Sequence, residues 1–325
     1  MKYPRRKFLH LAAAATALPA ISRFAVAQTY PTRPVRMVVP SAAGGANDIV
    51  GRVIGQWLSE RLGQPFVIED RPGASTIIGT EAVVHAPSDG YTVLVAAAPA
   101  AINATFYDKL NFNFLHDIAP VAGIARVPLV MEINASFPAK TIVDFIANAK
   151  ANPGKLNMAS SGIGSSPHVA GELFKMMTGV DLLHVPYRGE AAALTDLLGG
   201  QVQVYFGTFA ASSSHVRSRT LRALAVTSAT RIDALPDVPP LADFVSGYEA
   251  SRWYGVGAPK KTPTEIIEKL NNEINAGLAD PRIKAKLSDL GTIPMPFTPA
   301  EFGAFVAAET EKWAKVVKFS GAKSN

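Results

Sequence analysis

The sequence predicts an α/β protein of two lobes, joined by a two-strand hinge and separated by a cleft. Three observations carry that expectation. Short β-branched runs alternate with helical patterns from end to end, which implies parallel sheets covered by helices. The 325 residues exceed what one hydrophobic core usually holds. Two extended apolar segments, "AGIARVPLVMEI" (122–133) and "SRWYGVGAP" (251–259), have the look of crossings between units. A chain that leaves one unit at the first and returns at the second divides into domain 1 (28–125 and 252–325) and domain 2 (126–251). Its termini then share a domain, and the gap between the lobes is a natural place for a ligand.

Ahead of the first strand stands "MKYPRRKFLHLAAAATALPAISRFAVAQ". A basic start, a mildly apolar run and the small-x-small end Ala25-Val26-Ala27 mark residues 1–27 as a signal peptide. Leu9 to Ile21 is interrupted by His10 and Pro19 and falls short of the ~18–20 apolar residues of a spanning helix. Arg5-Arg6 before Phe8-Leu9 resembles a twin-arginine signal, although ordinary secretory signals also begin with positive charge. The segment holds five of the 32 basic residues and no acidic one, leaving 27 basic against 26 acidic. A nearly neutral chain without clustered basic residues is not a nucleic-acid surface. The absence of cysteine excludes disulfides, thiolate metal sites, a catalytic cysteine and a lipidated cysteine at the cleavage point. The exported chain is expected to be soluble, unanchored and monomeric.

In order, the first strand is "VRMVV" (Val35 to Val39), followed by "PSAAGGANDIV". Gly44 and Gly45 permit a tight turn into a helix from Asn47 to Leu62, whose start presents unpaired N–H groups, a ready anion site. Equally, the glycines simply close a strand-to-helix turn and Asn47 or Asp48 caps the helix. Ile49, Val50, Val53, Ile54, Trp57, Leu58 and Leu62 form one apolar stripe facing a sheet. "FVIED" and "TVLVAAA" supply two further strands. Beyond the first crossing, "LNMAS", the loop "SGIGSS" and a helix with Pro167 near its first position repeat the arrangement. Ser165 or Ser166 caps that helix, and Val169, Leu173, Phe174 and Met177 form its buried face. Ser160, Ser161, Ser165 and Ser166 would surround the positive end of the dipole, where a carboxylate gains hydrogen bonds and a favourable field. His168 is either a further donor or a partly buried histidine satisfied by backbone. The strands "LLHVP", "VQVYF" and "RALAVT" follow, then the return crossing and a long helix from Thr298 to Val317, burying Phe302, Phe305, Val306, Trp313 and Val316 or Val317.

Enzymatic motifs are missing. The chain has no G-x-S-x-G, no phosphate-loop lysine motif and no H-E-x-x-H, and "GIGSSP" lacks the third glycine of a dinucleotide fingerprint. Its six histidines are scattered without metal-ligand spacing. No catalytic residue, metal or cofactor is assigned. Serine–histidine chemistry stays open, because triad members can lie far apart in sequence.

Taken together, "PTRPVRMVVPSAAGGANDIVGRVIGQWLSERLGQPFVIEDRPGA", "ANPGKLNMASSGIGSSPHVAGELFKMMTGVDLLHVPYRGEAAALTDLLGGQVQVYF", "LRALAVTSATRIDALPDVPPLAD" and "WYGVGAPKKTPTEIIEKLN" resemble the Bug family. These are periplasmic solute receptors of tripartite tricarboxylate transporters. The resemblance covers the chain beyond the signal and implies a periplasmic-binding-protein fold that closes on an organic acid. It also implies delivery to a permease of one large and one small membrane subunit, in the periplasm and without cofactor or chemistry. The ligand-binding positions it implies are Ser41, Ala42, Ala43, Gly44, Gly45 and Asp48; Ser75 and Thr76; Ser160, Ser161, Gly162, Gly164, Ser165, Ser166 and His168; and Gly207 and Thr208. Arg188 in "HVPYRG" matches a family block but is left outside this set.

Three departures fall at ligand-facing positions: the family often has an aromatic residue at Ser41, further glycines at Ser75-Thr76, and an acid at Gly207. Without that acid a substrate ammonium would lack its counter-charge. The expected ligand is therefore a carboxylate that is not an amino acid and is bulkier than a C4 dicarboxylate, such as an aromatic acid. The alternatives are an exported serine-dependent hydrolase and a ligand sensor for a membrane signalling protein.

Overall fold

The structure, a computed structural model, describes residues 30–107 and 110–321, so the signal peptide expected at 1–27 lies outside the described residues. Strand β1 (Val35–Val39) is buried along almost its whole length, as a strand covered on both faces should be. Gly44, with φ +79°, turns the chain into α1 (Ala46–Leu62), which ends at Gly63 in the left-handed region. Its buried face differs from the expected stripe. Val50, Gly51, Ile54, Gly55, Trp57 and Leu58 are buried, whereas Ile49 is exposed and Val53 and Leu62 are half-buried. Close approach explains the rotation: a Cβ placed on Gly51 would stand 2.9 Å from Val39 Cγ2. The helix therefore rests on its glycines rather than on its largest side chains.

Strand β2 (Phe66–Asp70) pairs in parallel with β1. A turn over Ala74–Thr76 leads to α2 (Ile77–Val84), and β3 (Thr92–Ala97) pairs in parallel on the other side of β1. Then come α3 (Pro99–Phe106), α4 (Phe114–Asp117) and the 17-residue β4 (Ile118–Asn134). The second lobe contains α5 (Ile142–Ala151), β5 (Leu156–Ser160), α6 (Ser166–Thr178), β6 (Leu182–Pro186), α7 (Glu190–Leu198), β7 (Val204–Thr208), α8 (Phe209–Arg217) and β8 (Leu221–Val226). Strand β9 (Ser251–Pro259) returns to the first lobe, followed by α9 (Thr264–Ala279), α10 (Pro281–Ser288), β10 (Ile293–Pro294) and α11 (Pro299–Ser320).

The strands run β2-β1-β3-β9-β4-β7-β5-β6, with β8 and β10 also pairing with β4. Strand β4 spans both halves: its Ile118–Pro128 part pairs with β9, and its Leu129–Asn134 part pairs with β7 and β8. The result is a two-lobed α/β fold whose lobes are joined by the long strands β4 and β9. Helix α11, started by a capping box between Thr298 and Glu301, packs on α3 of the first lobe and α6 of the second. Phe302, Val306, Trp313, Val316 and Val317 are buried as expected, and Phe305 is half-buried against Trp253. In α6, Val169, Leu173 and Phe174 are buried, but Met177, in its last turn, is 36% exposed.

Candidate functional site

The loops following β1, β3 and β5 open onto one cavity of about 300 Å³, in keeping with the rule that open α/β sheets bind ligands beyond the carboxyl ends of their strands. Ser41, Gly45, Ser75 and Thr76 line it from the first lobe, Gly164, Ser165 and Ser166 from the second, and Arg252, Trp253 and Tyr254 from β9. The starts of α1 and α6 thus face a common space.

At α1, Gly45 is the N-cap and carries no side-chain cap; neither Asn47 nor Asp48 takes that role. Asp48 reaches back to accept the Gly44 N–H at 2.7 Å and forms an ion pair with Arg52 Nε at 2.7 Å. Burial opposes its ionisation, but the hydrogen bonds from Arg52 and Gly44 prevail and hold the carboxyl below its ordinary value. Asp48 is buried and does not line the cavity; it fixes the loop from behind. Gly44, Ala42 and Ala43 are exposed and lie off the lining. What α1 offers is the pair of N-terminal amides of Ala46 and Asn47, which have no helical acceptor, beside the Ser41 hydroxyl, a buried oxygen without a hydrogen-bond partner.

The second-lobe loop spends most of its hydroxyls on itself. Ser160 Oγ bonds His184 Nε2 at 2.7 Å and donates to the Gly162 carbonyl at 3.1 Å. Ser165 Oγ donates to the same carbonyl at 2.7 Å and accepts the His168 N–H at 3.4 Å, capping α6. His168 lies behind the loop, 2% exposed, with Nδ1 accepting the Gly164 N–H at 3.1 Å and its ring stacked on His184 at 3.9 Å. Ser160, Ser161, Gly162 and His168 are outside the lining; Gly164, Ser165 and Ser166 are in it. Burial, with His184 and Lys175 adding to it, lowers the His168 pKa to about 3, and burial with Lys175 lowers that of His184 to about 4. Both rings are neutral near pH 7, and they brace the loop without supplying positive charge.

Ala74, Ser75 and Thr76 have φ values of +43°, +50° and +82°, a region that favours glycine and strains L-residues. Asn103 Nδ2, buried in α3, donates to the Ser75 carbonyl at 2.6 Å and holds the turn. The Thr76 hydroxyl is buried without a partner.

Gly207 and Thr208 end β7 and are not in the lining. Thr208 instead donates to Glu190 Oε2 at 2.6 Å, and the other oxygen of Glu190 receives Arg252. Arg252, 23% exposed, is the one charged side chain among the described lining residues. Burial opposes its charge, and Glu190 more than restores it, so its pKa is raised. Sequence reasoning passed over Arg252, Trp253 and Tyr254 by treating their strand purely as a crossing, along with Asn47, Ala97, Ala98 and Pro99. An arginine inside a nine-residue strand that otherwise holds only uncharged residues was the available signal.

Ser160 with His184 has the spacing of a nucleophile and its base, yet Ser160 is fully buried and bonded on both sides. An acyl group would have no approach to it. Among the described residues no group of three potential metal ligands occurs, and no helix is long and apolar enough to cross a membrane.

Comparison with known proteins places the chain among relatives of the same fold. The chain is 38% identical to Protein BugT of Bordetella pertussis over 91% of its own length and 92% of that protein. It superposes on R. palustris Rpa4515 with adipate at TM-score 0.77, with 38% identity over 90% of this chain and 98% of that one. MatC from Rhodopseudomonas palustris with bound malate gives TM-score 0.73 and 30% identity over 89% and 100%. The tripartite tricarboxylate transporter family receptor, TctC, matches residues 50–321. The fold and these matches agree, and the chain belongs to the TctC, or Bug-type, family of solute-binding receptors.

Proposed function

We propose that the exported protein is a periplasmic solute receptor that binds an organic carboxylate and presents it to the large and small membrane subunits of a tripartite transporter. The observation that carries this reading is the convergence of the α1 and α6 starts on one cavity, with the unpartnered hydroxyls of Ser41 and Thr76 beside them. Helix starts and hydroxyls stabilise a carboxylate without altering it. The relatives solved with adipate and malate carry the same fold at 38% and 30% identity. Ligand binding then shifts an open–closed equilibrium of the lobes about β4 and β9, and the closed form is what the permease recognises. We assign the lobes to residues 28–125 with 252–325 and to 126–251.

The contact set we propose is Ser41, Gly45, Ser75, Thr76, Gly164, Ser165 and Ser166, joined by Asn47 and Arg252. Asp48, Ser160 and His168 support the loops from behind. The ligand is a carboxylate other than an amino acid, since among the described residues no acid lines the cavity to receive an ammonium group. A thermal-shift panel of aliphatic, aromatic and amino acids tests this, because stabilisation rises with ligand concentration over the dissociation constant. Stabilisation by simple or aromatic carboxylates is expected. Stabilisation by aspartate or glutamate alone would remove the assigned ligand class, and turnover of any bound acid would remove the receptor role.

A further inference from the structure

The cavity is lined by neutral donors at two helix starts and by one charged side chain, Arg252. The Arg252 guanidinium lies against Glu190, the first residue of α7. Glu190 is held in place three times: by Arg252, by the Thr208 hydroxyl at 2.6 Å, and by its position at a helix N-terminus. Both carboxylate oxygens are therefore engaged. A guanidinium has five N–H donors in a planar fork, so one bond to Glu190 leaves others for a ligand. The phenols of Tyr205 and Tyr254 act on Arg252, and the buried carboxyl of Glu132 interacts with Glu190; none of the three adds positive charge.

We propose, on the basis of the receptor reading above, that Glu190 sets the charge selectivity of the cleft by cancelling the charge of Arg252 while leaving its hydrogen-bond donors available. The occupant then carries one carboxylate, seated at the helix starts, and a neutral acceptor such as an ester, ketone or hydroxyl oxygen at its far end. A second carboxylate placed on Arg252 would stand beside Glu190, and like charges brought together in a partly desolvated site discriminate strongly against a ligand.

Isothermal titration of the full mature chain with adipate and with monomethyl adipate separates these cases, because the two differ by one charge at nearly constant length. Wild type is expected to bind the monoester about tenfold or more tighter than the diacid. Glu190→Gln keeps the shape of the side chain and frees the arginine charge, so it should reverse that order. Arg252→Gln leaves Glu190 without its partner and should widen the preference for the monoester while weakening both ligands. A merely structural role for the pair would change both affinities in proportion and leave their ratio unchanged. Wild-type preference for adipate, or a ratio unaffected by Glu190→Gln, overturns the inference and leaves the receptor reading standing. Failure of the receptor reading is distinct: no carboxylate of the wider panel would stabilise the wild type.

Discussion

Tyr205 occupies the space that a side chain at Gly207 would need: a Cβ placed on Gly207 would stand 2.3 Å from Tyr205 Cε1. The two residues sit two apart on β7 and so share one face of the strand. The tyrosine is fully buried with its hydroxyl unpartnered. An acid at position 207 would thus compete with the tyrosine ring for the same volume.

Gly207→Asp should accordingly destabilise the protein by about 1–3 kcal/mol through overpacking. Adding Tyr205→Ala should recover part of that loss, so that the double variant is more stable than the sum of the single effects. Urea unfolding of the four proteins checks this. Additive effects would mean that the ring and the new side chain do not compete.

Thr76 holds a β-branched side chain at φ +82°. Thr76→Gly relieves that strain, partly offset by the greater freedom of glycine in the unfolded chain, for a net gain of about 0.5–1 kcal/mol. It also removes an unpartnered hydroxyl from the cavity. The expected result is a higher melting temperature together with weaker binding of whichever carboxylate the panel identifies. A lower melting temperature would show that the turn is not strained.

The stacked His168 and His184 make stability sensitive to acid. Their folded pKa values, lowered by burial to about 3 and about 4, lie below the ordinary 6.5. The unfolded chain therefore takes up protons first, and stability is complete above pH ~6.5 and falls as the pH drops toward 4. Glu172, pushed up by burial against the pull of Lys175, acts in the opposite sense just above its ordinary 4.5. Urea midpoints should decline from pH 7 to pH 5, and His184→Gln should flatten the decline. Equal midpoints in the wild type would contradict the buried, neutral pair.

Most of this architecture was legible because it depends on periodicity and turn chemistry. The strand at Val35–Val39, the crossing at Ser251–Pro259 and the capped helix after Thr298 all announce themselves locally. The candidate site was legible to the extent that helix starts define it, as at Gly45 and Ser165–Ser166. It was hidden where function depends on which donor is already taken. Nothing in "SSGIGSS" reveals that Ser160 and Ser165 satisfy the Gly162 carbonyl, or that His168 faces the loop backbone. Nor can spacing show that Glu190 and Arg252, 62 residues apart, meet at the cavity.

Glu132 gives the opposite pH dependence from the histidines. It is fully buried in β4, accepts the Ser212 hydroxyl, and leaves its second oxygen unpartnered. Burial pushes its pKa up to about 8, against the Ser212 hydrogen bond and with a contribution from the charge of Glu190. The folded state thus keeps a proton that the unfolded chain releases above its ordinary 4.5. Its contribution is complete below pH ~4.5 and is lost as the pH rises toward 8. Glu132→Gln preserves the shape and cannot ionise, so it should be more stable than wild type by about 4 kcal/mol at pH 8 and show a gain below about 1 kcal/mol at pH 5. Parallel stability–pH curves for the two proteins would mean that Glu132 is ionised in the fold. The bond from Ser212 would then be made to a carboxylate and be charge-assisted.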